Sequence, residues 1–520
     1  CETPVLLLDT TAHLTAVSID ASMSPPTVTA QTGVAMEVLH DALQAAGLGM
    51  TNCPAPGAIS LGGVLAVNGH GTSVPAVGET PLSGHTFGTL SNMLRSVTAV
   101  VWDPTQQAYA LRTFARSEPE MGALCVHLGR AFLVEVTMQV GVNTRVRCDS
   151  YRSISAAALF AAPGSGSGSN SFFSFLNSSG RVETILYPFT DNPWLKVWRP
   201  TPVKPLLSKE VSGPFNYPFS DNISPELSQL VSQIISGSAS LTPAFGATMA
   251  TVTDVGLTTN LAWNLWGWSK DVQLYIKPTT LRVAECGFAL SCRRSDVQRA
   301  LSEFHQKYLA MQQAYRDRGE YPMNGPVEIR VSSLDRPEDC LVPGAQIPLL
   351  SAARPWPGHP DWDCVVWFNI LSIPGTPIAT RYYSELEEWF YANYTGDYAG
   401  VRIEWSKGWA YTEAGAYTND VTIQSRIPAS FTQGMPADAN FRTAVDILDR
   451  LDPARIFSTQ LLDRLMPRSA DLNGDGRVDG ADLAEQLVAW GPHPSRADLN
   501  LDGKVDGMDL ARLLNQWGTL

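Results

Sequence analysis

Six polar side chains occupy places where strands should be apolar, and their types suit acid–base work. NGPVEIRVSSLD (residues 324–335) sets Glu328 and Arg330 two positions apart, hence on one face of a strand. Glu183 stands just before the apolar run ILYPF, Glu285 ends the strand LRVAE, and Lys407 lies among aromatics in EWSKGWAY. Asn369 is the one polar residue of VVWFNIL, and a buried amide needs partners or a ligand. A carboxylate in an apolar pocket has a raised pKa and can serve as a base. An arginine beside a reacting oxygen steadies the negative charge that develops there. Each residue also has a plainer reading taken alone: an ion pair on a solvated sheet face for Glu328 and Arg330, an exposed strand end for Glu285.

Residues 54–72, PAPGAISLGGVLAVNGHGT, form the other candidate site. Gly57, Gly62, Gly63, Gly69 and Gly71 can take positive φ or admit a ligand where a Cβ would clash. Ser60, Asn68, His70 and Thr72 offer hydrogen bonds among them, and Pro56 completes the candidate cofactor-binding set. Upstream, TVTAQTG (27–33) reads as a strand and VAMEVLHDALQAAGL as a helix. Its face is set by Val34, Val38, Ala42 and Ala46, with Gly47 as C-cap. A Gly-rich turn in an ordinary α/β protein, with a structural His70, would look much the same.

Other elements must position these groups. TLSNMLRSVTAVVWD (89–103) reads as helix-like, and HLGRAFLVEVTMQV (127–140) as a turn and a strand with Val134, Val136 and Met138 on one face. DVQLYIKPTTLRV (271–283) and CVVWFNILSI (364–373) read as strands. SDVQRALSEFHQKYLAMQQAYRDRG (295–319) is an amphipathic helix, and RTAVDILDRLDPARIFSTQLLDRLM (442–466) a helical segment returning to the first domain. APGSGSGSN (162–170) is a flexible loop and MPRSA (466–470) a short linker.

The bulk numbers fit large cores. Of 520 residues 44% are hydrophobic and 17% charged. A net charge of -13 argues against nucleic acid or anionic lipid as main partner. No run reaches the roughly 18 apolar residues of a membrane helix. The eight cysteines show no C-x-x-C or zinc spacing, so buried free thiols are expected.

The tail repeats: ADLNGDGRVDGADLAEQLVAWG (470–491) recurs as ADLNLDGKVDGMDLARLLNQWG (497–518). Asp471, Asn473, Asp475, the Arg477 carbonyl, Asp479 and Asp482 stand at oxygen-ligand spacing, with Gly476 at the turn. Asp498, Asn500, Asp502, the Lys504 carbonyl, Asp506 and Asp509 repeat it, with Gly503 at the turn. Hard oxygen ligands so spaced suit Ca²⁺. One helix follows each loop, carrying Leu483, Leu487 and Trp490, then Leu510, Leu514 and Trp517. The pattern resembles dockerin modules, which implies a secreted or cell-surface protein and a cohesin-like or cell-surface partner.

In chain order, PAPGAISLGGVLAVNGHG, GHTFGTLSNMLRSVTAVVW, ETILYPFTDNPWLKVW, EVSGPFNYPFSDN, LWGWSKDVQLYIKPTTLR, NGPVEIR, HPDWDCVVWFN and EWSKGWA resemble the bacterial class II cholesterol oxidases, flavoenzymes of vanillyl-alcohol-oxidase type. The resemblance spans about residues 3–466. It implies an α+β fold: the second half of an FAD domain (1–145), a substrate-binding cap with a large mixed sheet (146–441), a return segment (442–466), and the linker with its small helical Ca-loop module (467–520). It implies FAD, a sterol and O₂, and oxidation of the 3β-hydroxyl with Δ5 to Δ4 isomerisation and H₂O₂ release. Glu328 and Arg330 match a pair thought to gate an oxygen tunnel, while Glu183, Glu285, Asn369 and Lys407 match site residues. Glu183 is taken as the base, with a second carboxylate serving isomerisation. The family's R-G-x-x-H-G-type loop, with its flavin-linking histidine, is not found in the sequence. The chain is therefore expected to be N-terminally incomplete and poor at holding FAD. Another bulky hydrophobic alcohol as substrate, or an inactive Ca²⁺-dependent docking protein, are the alternatives.

Overall fold

Side-chain alternation sorts the strands into two layers. The computed structural model describes residues 7–165, 168–217, 225–280, 282–473, 475, 477–492 and 495–518. Cys1, the start of VLLL, part of the 162–170 loop, the end of EVSGPFNYPFSDN, Leu281 and Gly476 lie outside the described residues.

The first layer contains β1 (Val17–Asp20), β2 (Thr27–Gln31), β3 (Leu48–Gly49), β4 (Leu94–Asp103), β5 (Ala108–Ala115), β6 (Phe132–Gln139) and β7 (Gly141–Val142). β3 pairs with β7; the others run β1-β2-β6-β4-β5, antiparallel throughout. Their core includes Val28, Val97, Val136 and Met138. The face expected on β6 is interrupted: the register with β4 shifts between Thr98 and Ala99, so Leu133 rather than Val134 is buried. Such a bulge turns the following residues to the other face.

The helix Met36–Ala45 forms where expected, and Gly47 follows its end at φ 73°. Its buried face, however, is Met36, Leu39, His40 and Leu43, while Val38 is exposed. The larger side chains at i, i+3 and i+7 bury more apolar area than valine and alanine at i+4 spacing. TLSNMLRSVTAVVWD is a short 3₁₀ turn, Leu90–Met93, leading directly into β4, so the helix-like reading of 89–103 fails there. Its Val-rich end favours a strand.

The second layer has β8 (Arg145–Tyr151), β9 (Arg181–Leu186), β10 (Trp194–Pro200), β11 (Lys209–Glu210), β12 (Asn264–Trp268), β13 (Ala284–Cys292), β14 (Val327–Ser333), β15 (Cys364–Ser372) and β16 (Ala399–Ile403). They form one nine-stranded sheet, ordered β11-β12-β8-β10-β9-β14-β15-β13-β16. Only β11 with β12 is parallel. DVQLYIKPTTLRV does not form a strand: a helix Ser269–Gln273 ends it early and Pro278 follows in irregular chain. Glu285 accordingly begins β13 rather than ending a strand.

One face of this sheet is apolar. Val182, Val197, Ile329, Phe368 and Phe288 pack under the helices Val297–Asp317 and Ala379–Asn393. The alternate residues on the opposite face carry the charges. There Trp367 and Ala289 join the first layer's core, so the charged face looks toward the first layer. The helix Phe441–Leu451 returns to that same core through Val445 and Leu448. Burying each such side chain stabilises by roughly 1.5–3 kcal/mol. Arg130 fixes the return with ion pairs to Asp449 (2.7 Å) and Asp452 (2.9 Å).

The tail has its own small core of Leu472, Val478, Leu499, Val505 and Leu513. In MPRSA, Met466, Arg468, Ser469 and Ala470 are buried and Pro467 is exposed, and Arg468 donates to the Pro453 and Asp498 carbonyls. Leu487 and Leu514 are exposed on the two repeat helices, and Trp490 and Trp517, just past their ends, are exposed too. The seven described cysteines are free and buried. Among the described residues no helix is long and apolar enough to cross a membrane.

Candidate functional site

Strand register brings the charges together. On adjacent strands Lys196, Glu183 and Arg330 stand directly opposite one another, and Glu328 stands opposite Asn369, itself opposite Gly287. Directly opposed residues point to the same face, so two polar rows share one surface. Glu285 lies on that face two residues before Gly287. A Cβ at Gly287 would come within 2.4 Å of Lys407 Cγ, so glycine there lets Lys407 lie across the strand.

The rows are closely bonded. Arg330 Nη2 lies 2.6 Å from Glu183 Oε1 and 2.6 Å from Glu328 Oε2, and Nη1 donates to Asn369 Oδ1 at 2.7 Å. Asn369 Nδ2 donates to Glu404, whose Oε1 lies 3.2 Å from His70 Nε2. His70 stacks on Trp367 with ring centroids 3.7 Å apart. Lys407 Nζ lies 3.0 Å from Glu285 Oε2. Lys196 Nζ lies 3.3 Å from Glu183 Oε2, and the Tyr275 hydroxyl donates to both Glu183 oxygens, at 2.7 and 2.6 Å.

The glutamates of the site differ electrically. Burial pushes the Glu183 carboxyl up, but Arg330 and then Lys196 outweigh it and leave it below the ordinary value. The raised pKa expected of Glu183 as a base is thus reversed, because two cations and a phenol saturate its oxygens. Burial raises Glu285, and Lys407 offsets only part of that. For Glu404 burial is overcome by the His70 hydrogen bond, with help from Lys407 and Asn369, and its pKa falls to about 2. Glu183 and Glu328 hold Arg330 far above its ordinary value despite burial.

A cavity of about 890 Å³ opens beside these groups. Glu183, Glu285, Glu328, Glu404, Arg330 and Lys407 line it. Pro56, Ser60, Gly63, Gly69, His70 and Gly71 line it too, His70 beside Glu404, with Ile185, Tyr187 and Met249 supplying apolar surface. Asn369 does not line the cavity and acts through Arg330 and Glu404.

The Gly-rich stretch differs from the loop expected. A helix Leu61–Ala66 forms in its middle, capped by the Ser60 hydroxyl accepting from Gly63 N at 3.3 Å. None of its five glycines takes positive φ; Asn68 does, at φ 60°. Gly69 and Gly71 are needed because a Cβ would strike Val64 and Asn52, at 2.3 and 2.5 Å. Gly57 and Gly62 pack against Glu37 and Thr32, off the cavity wall. Asn68 is also off it, binding Thr89, Ser351 and the Ala352 N–H. These three therefore serve packing. Over Gly63, by contrast, only the Ser60 hydroxyl lies within 4 Å of a built Cβ. Glycines without side chains and the cations Arg330 and Lys407 line the same cavity, so the residues present suit a flavin, a flat ring system that gains negative charge on reduction.

In the tail, among the described residues no three His, Cys, Asp or Glu side chains cluster as metal ligands. Asp482 accepts instead from the backbone of Leu472, at 2.6 Å, and Asp479, at 2.8 Å. Asp509 likewise accepts from Asn500 and Asp506, and Lys504 Nζ lies 2.6 Å from Asp506.

Lys196, Tyr275, Trp367 and Glu404 were missed from sequence. The signal for Lys196 was present in WLKVW, a charge at an inward strand position between two tryptophans. Glu404 stands three residues before Lys407 in EWSKGWA. Tyr275 and Trp367 gave none, since aromatics in such segments ordinarily mean core.

Comparison with known proteins gives the family. The family described as "Cholesterol oxidase, substrate-binding" matches residues 145–467. A solvent-stable cholesterol oxidase structure is 52% identical, with a TM-score of 0.87, covering 88% of this chain and 85% of that one. The crystal structure of cholesterol oxidase from B. sterolicum is 43% identical, with a TM-score of 0.86, covering 88% and 84%. No curated protein sequence matches the chain. Fold and site define a flavoprotein oxidoreductase with an α+β architecture and a large mixed sheet. More narrowly, the chain belongs to the cholesterol oxidase family.

Proposed function

We propose that the chain oxidises the 3β-hydroxyl of cholesterol or a related sterol to a ketone, with FAD as cofactor and O₂ as final acceptor, releasing H₂O₂. The observation that carries this reading is one cavity of about 890 Å³ lined both by the Pro56–Gly71 stretch and by four carboxylates with their cations. Its size lies within the range of sites that enclose a bulky ligand. Bound there, FAD supplies the hydride acceptor and passes electrons to O₂. Pro56, Ser60, Gly63, Gly69, His70 and Gly71 would hold it.

Proton removal falls to Glu285. It has one cationic partner and a raised pKa, whereas Glu183 has both oxygens engaged. Arg330, held between Glu183 and Glu328, stabilises negative charge on the sterol oxygen. Ile185, Tyr187 and Met249 exclude water around the steroid body. A Δ5-3-ketone has acidic C4 hydrogens, and Glu328 on the same wall takes one and returns it at C6, giving the conjugated enone.

The test is to incubate the FAD-loaded protein with cholesterol and follow peroxide and enone absorbance together. Both signals are expected; peroxide without enone would remove the isomerisation, and neither signal would remove the whole reading.

For the tail, the twice-occurring D-x-N-x-D-G spacing supports Ca²⁺ uptake with release of Lys504 from Asp506. An extracellular setting and a cohesin-like or cell-surface partner follow from that same resemblance. Calorimetric titration with Ca²⁺ should show saturable binding that the substitutions Asp475→Ala and Asp502→Ala abolish together; no heat would refute it.

A further inference from the structure

Lys196 is unlike the other cations of the site. It is fully buried on β10, and its ammonium lies over four aromatic rings. The Tyr275 centroid is 3.0 Å away, and those of Trp198, Tyr217 and Trp194 are 4.9, 5.0 and 5.1 Å away. Trp194, Lys196 and Trp198 share a strand face, so the flanking indoles follow from alternation alone. Trp198 is fixed by its indole N–H donating to the Val272 carbonyl at 3.0 Å, and Tyr275 by its backbone N–H donating to the Ala55 carbonyl at 3.2 Å. The box is therefore anchored to both layers.

A cation over aromatic faces is stabilised without an acceptor being spent on it. Its one carboxylate is Glu183, 3.3 Å distant. Lys196 does not line the cavity, so the box separates its ammonium from the ligand while leaving its charge on Glu183.

We propose that Lys196 is a positioning residue: its boxed ammonium keeps Glu183 a carboxylate, and that carboxylate aims Arg330 at the cavity. The proposal rests on the sterol-oxidation reading for its purpose, but not for its measurement. The groups facing Glu183 are Lys196 from β10, Arg330 and Glu328 from β14, and Tyr275 from the segment after the Ser269–Gln273 helix; Cys148 and Tyr217 flank Lys196. Only Lys196 and Arg330 are cationic, so removing Lys196 leaves Glu183 one countercharge. Desolvation then favours its neutral form. The sign is fixed: loss of the ammonium makes Glu183 protonate at higher pH, and a neutral Glu183 releases Arg330.

The test is an infrared titration of the FAD-loaded protein and of Lys196→Met, in which a thioether replaces the ammonium among the rings. Loss of the signal in Glu183→Gln identifies the Glu183 carboxyl band. That band is expected to appear about one pH unit higher or more in K196M, a tenfold change in proton affinity. Lys196→Arg should restore the band to its parental pH. Should K196M not fold, Lys196→Gln takes its place with the same readout. An unmoved Glu183 band in the neutral variants, or a band that moves equally in K196R, overturns the proposal. Absence of sterol turnover with the band behaving as described would instead count against the function proposed above, so the two failures are separable.

Discussion

Glu183 and Glu285 line the same cavity, yet the strands around them give these two carboxyls opposite surroundings. At the Glu183 end, Arg330, Lys196 and Tyr275 saturate both oxygens and lower the pKa. At the Glu285 end a single Lys407 cannot offset burial, and the pKa is raised. The lesson is that burial alone does not make a base. The number of countercharges decides whether a buried glutamate holds its neighbours in place or moves a proton.

The sharpest way to break this comparison is to neutralise each carboxyl in turn. Glu285→Gln should lower kcat/KM for cholesterol by about 10²–10⁴-fold, with a melting temperature near that of the parent. Equal losses of activity and melting temperature would make Glu285 a structural residue. Glu183→Gln should do the reverse in emphasis. It leaves Lys196 and Arg330 short of a partner in a buried place, costing about 3–5 kcal/mol of stability. Denaturant unfolding would read this, and a loss below about 1 kcal/mol would show that the pairs contribute little.

Glu404 sharpens the contrast as a third carboxyl. Its folded pKa of about 2 lies below the ordinary value, so the unfolded chain binds more protons between the two. Its contribution, about 3 kcal/mol, is fully present above the ordinary carboxyl value and is lost as pH falls toward 2. Glu404→Gln should flatten the acid side of the stability curve, and an unchanged slope there would contradict the His70 interaction. The smallest effect concerns the tail. Its core is separate from the enzyme's, so deleting residues 470–520 should leave kcat within about twofold, by the additivity of distant sites. A tenfold loss would mean that the tail supports the site.

Much of the site was legible because strand alternation is. Glu328 and Arg330 two apart share one strand face as their spacing says, and Asn369, alone in an apolar strand, is buried with hydrogen-bond partners. The order of motifs carried the family. What sequence could not give was cross-strand register. Nothing local says that Lys196, Glu183 and Arg330 fall opposite each other, or that a cation would be boxed by rings from β10 and from the segment after β12. The low pKa of Glu183 was hidden for the same reason, since its countercharges come from other strands. The sequence did not separate the glycines that line the cavity, Gly63, Gly69 and Gly71, from Gly57 and Gly62, which do not. At Gly69 and Gly71 the close neighbour is Val64 or Asn52, a matter of tertiary packing. The helix face at 36–45 went wrong because spacing was weighed without side-chain size.

The most direct measurement is the pH profile of kcat/KM for cholesterol in the FAD-loaded parent, Glu285→Gln and Glu183→Gln. The parent should lose activity on acidification through an ionisation above the ordinary carboxyl value. That limb should vanish with Glu285→Gln and survive in Glu183→Gln. Survival in Glu285→Gln, with disappearance in Glu183→Gln, would contradict the account.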